Sequence, residues 1–317
     1  MEAATATWCR SGNSTPAFLS IKKGRAICIA AGNEGQKLIH AEVNFEGEKT
    51  KGELEWEAAR GGKLFLYYNT PSREDLRFDS GKDTKVVQRI STYVHPLTGL
   101  AQSVVLVNSG GKLTLSSTGK PVKADAYINP SDGKFLGGCA RRGTQIATPG
   151  TTPHALTVGS YDWNSDFNGK PWPVENRALR IVPMTIGALS AYSNSGPLRR
   201  GKEHEPKPEI VAPGQYFTAT LAQNANVPNY VRHASGKYRL FNGTSAATPY
   251  CAGVVALLMQ EKPAITLGEI KHLFKAHATQ DRYTGKLPSP EWGYGKLDKG
   301  AVVKMIKALR AKKTGKE

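Results

Sequence analysis

Between about residues 40 and 145 the chain is a series of short segments in which apolar and polar residues alternate: AEVNFEG, GELEWEA, KLFLYYN, QRISTYV, SVVLVNS, GKLTLSS and ADAYINP. Gly, Asn, Ser and Pro separate them, and nothing between them carries a helical period. Alternation of period two sends successive side chains to opposite faces of a strand, so each segment has one face to bury and one to leave wet. In GELEWEA, Leu54 and Trp56 fall on one face and Glu53, Glu55 and Glu57 on the other. Short strands at this spacing predict an all-β sandwich or jelly-roll-like module.

The flanks have a different texture. Arg25–Ala31, bounded by Gly24 and Gly32, is a short apolar run with β-branched Ile27 and Ile29, the pattern of a strand covered on both faces in a parallel sheet. The residues just before it, from about 20, read as the end of a helix. After residue 145, HALTVGSYD is strand-like, PEIVAPG is a short strand entering a turn, and KYRLFNGTS is a strand ending in glycine. A helix is expected over 247–260, with Pro249 in its first turn, where a missing N–H costs little. In TLGEIKHLFKAHA, Thr266 and Glu269 make a capping box and Leu267, Ile270, Leu273 and Phe274 an apolar stripe. No internal repeat is present. The simplest organisation is an α/β domain interrupted by a β module.

Composition narrows the function classes. With 317 residues and 39% apolar content, the chain can bury the core of one large domain or two modest ones. Its net charge is +17, so a polyanion partner has to be weighed. The Lys and Arg are spread along the chain, however, and the densest runs are LRRGK (Leu198–Lys202) and the tail KMIKALRAKKTGKE. There is no zinc finger, RNP-type motif or basic region with heptads, so the charge reads as a solvated surface and nucleic acid is not the expected partner. No apolar run is long enough to span a membrane. Residues 1–26 lack the basic-then-apolar order of a secretory signal, and the compartment stays open. Cys9, Cys28, Cys139 and Cys251 form no CxxC pair and no metal spacing; Cys28 and Cys251 sit in apolar runs and read as buried free thiols. No metal or other cofactor is implied.

The chemistry is concentrated in FNGTSAATPYCAGVVALL, Phe241–Leu258. A strand ending in Gly-Thr-Ser and entering a helix suits a nucleophile, because free N–H groups and the helix dipole favour developing negative charge there. Taken alone, Ser245 would equally serve as a helix N-cap. The order Gly243-Thr244-Ser245, Ala247, Pro249, Ala252, Gly253 resembles the catalytic-serine signature of the subtilisin-like serine peptidases, the subtilases, at every defined position. The resemblance implies that Ser245 is the nucleophile. AAGNEG (Ala30–Gly35) resembles the block that carries the family's oxyanion-hole asparagine, which falls on Asn33. TPHALTVGSYD, SAYSNSGP, KPEIVAPG and WGYGKLDKGAVV resemble further family blocks, so the likeness covers about 1–36 and 146–310.

Implied, then, is an α/β fold with a subtilisin-like parallel sheet and helices, its N-terminal part missing. The segments expected are a subtilase segment 1–36, an inserted β module 37–145, a subtilase C-terminal segment 146–310 and a basic tail 311–317. An insert after the oxyanion asparagine resembles that of bacterial subtilases related to the clostridial spore-germination group.

In subtilases the catalytic Asp and His precede that asparagine, in Asp–Gly and His–Gly–Thr contexts. Here the residues before Asn33 contain neither Asp nor His; the first histidine is His40, and His–Gly occurs nowhere. RFDSGKD around Asp79 has charged flanks and reads as a surface turn. His154, His204 and His233 lie in the right segment, in loops beside proline or charge, His233 just ahead of the strand that leads to Ser245. None is a convincing base. Two explanations follow. Either these residues are a truncated serine endopeptidase whose His and Asp lie in a missing N-terminal segment or another chain, or they are a non-catalytic subtilase-fold binding or regulatory protein. The intact surroundings of Ser245 and Asn33 favour the first. The expected substrate is a peptide or protein, and these residues alone are expected to be inactive and prone to association through an exposed core face and sheet edge.

Overall fold

The structure, a computed structural model, describes residues 24–45, 50–69, 76–79, 86–94, 100–117, 122–129, 132–163, 185–199, 205–228, 231–313 and 315. The helix end expected before Gly24, Cys9 and His204 lie outside the described residues. The chain divides into two compact units, one holding Gln36–Gln145 and the other the described residues before Gln36 together with Ile146–Glu317.

The first strand, β1 (Cys28–Ala30), belongs to the second unit. The first unit is built from β2 (His40–Phe45), β3 (Lys51–Glu57), β4 (Gly62–Asn69), β5 (Leu76–Asp79), β6 (Val86–Val94), β7 (Leu100–Val107), β8 (Gly110–Ser117), β9 (Val122–Asn129), β10 (Lys134–Phe135) and β11 (Ala140–Arg141). A six-stranded sheet in the order β11-β2-β9-β4-β7-β6 and a four-stranded sheet in the order β10-β3-β8-β5 share one core. Phe45, Leu64, Leu66, Val105 and Ile128 face Leu54, Trp56, Leu113, Leu115 and Phe135 across it. Each large side chain so buried contributes roughly 1.5–3 kcal/mol. Along β3 the alternation holds as expected, with Leu54 and Trp56 buried and Glu53 and Glu57 exposed.

All seven segments read as strands are strands. Asp79 departs from expectation: it does not sit on a surface turn but ends β5, opposite Thr114 of β8. The alternation there is too short to see, and its register comes from the neighbouring strand.

In the second unit β1, β12 (Leu156–Tyr161) and β13 (Ile210–Pro213) form a parallel sheet in the order β1-β12-β13. Among the described residues the outer edge of β1 pairs with no strand. A hairpin of β14 (Phe217–Thr220) and β15 (Tyr238–Phe241) precedes α1 (Thr244–Glu261), followed by α2 (Leu267–His277) and α3 (Lys299–Lys313). The tail expected from 311 therefore begins inside α3. Ala247, Cys251, Val254, Val255 and Leu258 of α1 pack on Leu156, Val158, Ile210 and Ala212 of the sheet, with Ile270, Phe274 and Met305 behind. Cys28, Cys139 and Cys251 are free thiols. No helix is long and apolar enough to cross a membrane among the described residues.

Candidate active site

α1 begins at Thr244, three residues before the start expected from the sequence, and this changes the role of two residues. Ser245 is the second helical residue and not the N-cap, a position held by Gly243 without a side-chain hydrogen bond. Pro249 lies inside the helix and not at its start, so it cannot donate to the Ser245 carbonyl as a normal residue would. Gly243 has φ 110, a conformation that L side chains rarely adopt, and a Cβ there would touch the Asn33 amide at 3.2 Å. Ser245 is exposed, while Thr244, Ala246 and Ala247 around it are buried.

Asn33 follows the C-terminal end of β1 and reaches this helix start. Its Oδ1 accepts from the Thr244 N–H at 2.9 Å and from the Thr244 hydroxyl at 3.0 Å. The hydroxyl of Thr244 accepts in turn from the Gly32 N–H at 3.2 Å. Because a backbone N–H can only donate, the atom facing it must be the amide oxygen, which leaves the Asn33 Nδ2 hydrogens unspent. Among the described residues neither Asn33 Nδ2, the Ser245 N–H nor the Ser245 hydroxyl has a hydrogen-bond partner.

The loop that aims Asn33 is clasped from the other side. The Glu34 N–H donates to Asn194 Oδ1 at 2.6 Å, and Asn194 Nδ2 returns a bond to Glu34 Oε2 at 3.0 Å. Glu34 Oε2 also accepts from the Asn33 N–H at 2.9 Å. Gly32, with φ +110, lies so close that a Cβ would meet Asn194 Nδ2 at 2.2 Å. SAYSNSGP thus supports Asn33, and the sequence gives no sign of which residue Asn194 meets.

The two candidate histidines among the described residues lie away from Ser245. His154 sits in the turn before β12, whereas Asn33 follows the C-terminal end of parallel β1; the six residues of β12 set the two ends about 20 Å apart. His233 lies ahead of β15, its Nδ1 2.9 Å from Ser235 Oγ and its ring edge-on to Tyr238, at the end of the hairpin opposite Ser245. Among the described residues no His, Cys, Asp and Glu cluster could hold a metal ion.

Along the body of α1 a groove of about 640 Å³ runs between Gly24–Cys28 and the helix residues Thr248, Ala252, Val255, Ala256 and Met259; Ser245 does not line it.

An exposed serine in the first turn of a helix, with an anchored carboxamide beside it at the C-terminal end of a parallel sheet, has the parts of an acyl-transfer site. A model described as the subtilase family matches residues 86–295, and the chain belongs to that family. It is 31% identical over 132 residues to the serine protease AprX of Bacillus subtilis, covering 41% of this chain and 26% of that protein. It is 27% identical over 183 residues to an extracellular protease of Xanthomonas campestris, covering 56% of this chain and 28% of that one. The solved structure of the Clostridium perfringens CspB protease superposes with a TM-score of 0.66 at 19% identity, over 96% of this chain and 66% of that one. The chain therefore spans less than two thirds of each of these proteins.

Proposed function

We propose that the chain is the nucleophile-bearing part of a serine endopeptidase that hydrolyses peptide bonds through an acyl-enzyme. In this reading Ser245 attacks the scissile carbonyl, and Asn33 Nδ2 with the Ser245 N–H holds the oxyanion. Gly243 and Thr244 shape the turn, and Pro249 removes the N–H that would ordinarily donate to the Ser245 carbonyl. The observation that carries the reading is the pair of hydrogen bonds that fixes Asn33 Oδ1 on Thr244 while its donors remain unspent.

The base and the orienting acid come from polypeptide outside these 317 residues, either a segment N-terminal to them or another chain. Two features support this: among the described residues no histidine is hydrogen-bonded to Ser245, and the outer edge of β1, the strand that leads to Asn33, pairs with no strand and so offers a seat for further polypeptide. Without a histidine base, turnover in this class falls by about 10⁶. The test is fluorophosphonate labelling of Ser245 in these 317 residues and in the longest natural form of the protein. Rapid labelling of the natural form alone, abolished in Ser245→Ala, supports the reading. No labelling of either makes Ser245 a relic and the chain a binding protein; rapid labelling of the 317 residues alone places the base within them.

A further inference from the structure

Against the turn that carries Ser245 runs a chain of hydroxyls, buried at Ser190 and Ser160 and half-buried at Tyr192. Asp162 Oδ1 lies 2.7 Å from Ser190 Oγ, Ser190 Oγ 2.9 Å from Ser160 Oγ, and Ser160 Oγ 2.9 Å from the Tyr192 phenol. The phenol is 3.0 Å from the Gly214 carbonyl and accepts from the Gly243 N–H at 3.2 Å. Gly243 also donates to the Gly214 carbonyl at 2.9 Å, so Tyr192 and Gly214 together hold the residue two before Ser245.

Counting hydrogens decides the direction of this chain. The links from Asp162 to Ser190, Ser190 to Ser160, Ser160 to Tyr192 and Tyr192 to Gly214 each need one hydrogen, and the three hydroxyls supply one fewer than that. Gln215 Oε1, 2.8 Å from the phenol, competes for the same Tyr192 hydrogen and deepens the deficit. A proton on Asp162 supplies the four links and leaves only the Gln215 contact without a hydrogen of its own. Asp162 then donates to Ser190, Ser190 to Ser160, Ser160 to Tyr192, and Tyr192 to Gly214. If Asp162 is ionised, Ser190 must donate backwards and one link is left with two lone pairs face to face.

The surroundings agree. Asp162 is 8% exposed, and among the described residues no cation pairs with it. Burial pushes its carboxyl up, against the pull of the Ser190 hydroxyl and a backbone hydrogen bond from Thr185. Among the described residues, the titratable groups that face it are the phenols of Tyr192 and Tyr216, both themselves pushed up by burial.

We propose that Asp162 is kept as the neutral acid, and that the hydrogen-bond direction it imposes through Ser190 and Ser160 makes Tyr192 a positioning residue for the Gly243–Ser245 turn. The catalytic meaning of that turn rests on the reading of Ser245 given above; the chain of hydrogen bonds does not. A carboxyl whose folded pKa is raised contributes fully in acid and loses its contribution as pH rises through that value.

The experiment uses the 317-residue chain: the Asp162 carboxyl carbon is titrated by ¹³C NMR, and hydrogen-exchange protection of the Gly243 amide is followed across pH. Asp162 is expected to titrate well above the ordinary value near 4. Gly243 protection is expected to fall with that titration, and to be about tenfold lower throughout in Tyr192→Phe. In Asp162→Asn, whose amide N–H replaces the acid proton, protection should stay high and lose its pH dependence, with α2 and α3 amides unchanged in every variant. An Asp162 that titrates near 4, or Gly243 protection indifferent to Tyr192→Phe, overturns the proposal. Failure of Ser245 to label in the longest natural form, with these results in hand, would remove the nucleophile reading and leave this one standing.

Discussion

Asn33 and Thr244 are separated by 211 positions, yet one side-chain oxygen joins them twice. That double anchor allows the donor function of Asn33 to be tested apart from its structural one. Asn33→Asp keeps an oxygen for both Thr244 hydrogens and removes the N–H groups, placing a negative charge where an oxyanion would form. In the longest natural form, its kcat is expected to fall by at least about 10²–10³, with the thermal midpoint close to that of the native protein. Equal losses in rate and midpoint would assign Asn33 to the scaffold. Lys296 offers a second case: Nζ is 2.5 Å from Asp281 Oδ2 and lies within 5.3 Å of the ring centres of Tyr161, Tyr283 and Trp292. Lys296→Met keeps the stem and discards the charge, and should destabilise by about 2 kcal/mol at neutral pH. Burial raises the Asp281 carboxyl, but the Lys296 hydrogen bond and the backbone N–H groups of Tyr283 and Thr284 outweigh it, so its folded pKa is depressed. Its stabilisation is complete above the unfolded value near 4 and is lost as pH falls through the lower folded one, so the gap between native and variant melts should narrow in acid to what the ring contacts leave. At this scale Ser245 and Asn33 stand out in the sequence as candidates, because their neighbours form a long motif, and the structure joins Asn33 to the residue beside Ser245. It concealed Glu34, Asn194, Asp162 and Tyr192, whose partners are distant in the chain and chosen by the fold.

At the scale of elements, period and capping carried most of the information. Thr266 caps α2 as its spacing with Glu269 implied: each residue's side chain accepts the other's backbone N–H, at 3.2 Å and 2.8 Å. Thr266→Ala should lower stability by about 1 kcal/mol. The carboxyl of Glu269 is held down to about 2, first by Lys262 and then by the backbone and hydroxyl of Thr266. What Glu269 contributes is therefore present above the ordinary glutamate value near 4.3 and is lost as pH falls toward about 2; melts of Glu269→Gln and the native chain should converge over that window. The start of α1 was less legible. Gly243, Thr244 and Ser245 have poor or moderate helix propensity, and the expected boundary fell where alanine and proline suggested one. The hydrogen bond from Thr244 N–H to Asn33 overrides that preference by capping the helix from outside. Strand β5 was missed for a similar reason, because its pairing with β8 and not its own pattern makes it a strand.

For the whole molecule, the change in texture at about 40 and 145 marks where one compact unit gives way to the other. The ends of the β unit lie together: Gln145 Nε2 donates to the Lys37 carbonyl at 2.8 Å, and β11 pairs with β2 through Arg141 opposite His40. In the other unit the segments on either side of the β unit in sequence are also close, the Ala147 N–H donating to the Ala31 carbonyl at 2.8 Å. Each unit thus brings together the two chain ends at which the sequence passes to the other. The β unit has its own core, from Phe45 and Trp56 to Phe135, and each of those side chains is at most 2% exposed. It should therefore need nothing from the host to fold. Residues 36–145 produced alone are expected to melt in one cooperative transition with a β-rich circular dichroism spectrum, and to keep near-ultraviolet signal from Trp56. Residues 24–35 joined to 146–317 through a short Gly-Ser link should instead associate, because among the described residues the outer edge of β1 is unpaired and a groove runs between α1 and Gly24–Cys28. A β unit that fails to melt cooperatively would show that its core depends on the host, and that the two textures do not mark separable folding units.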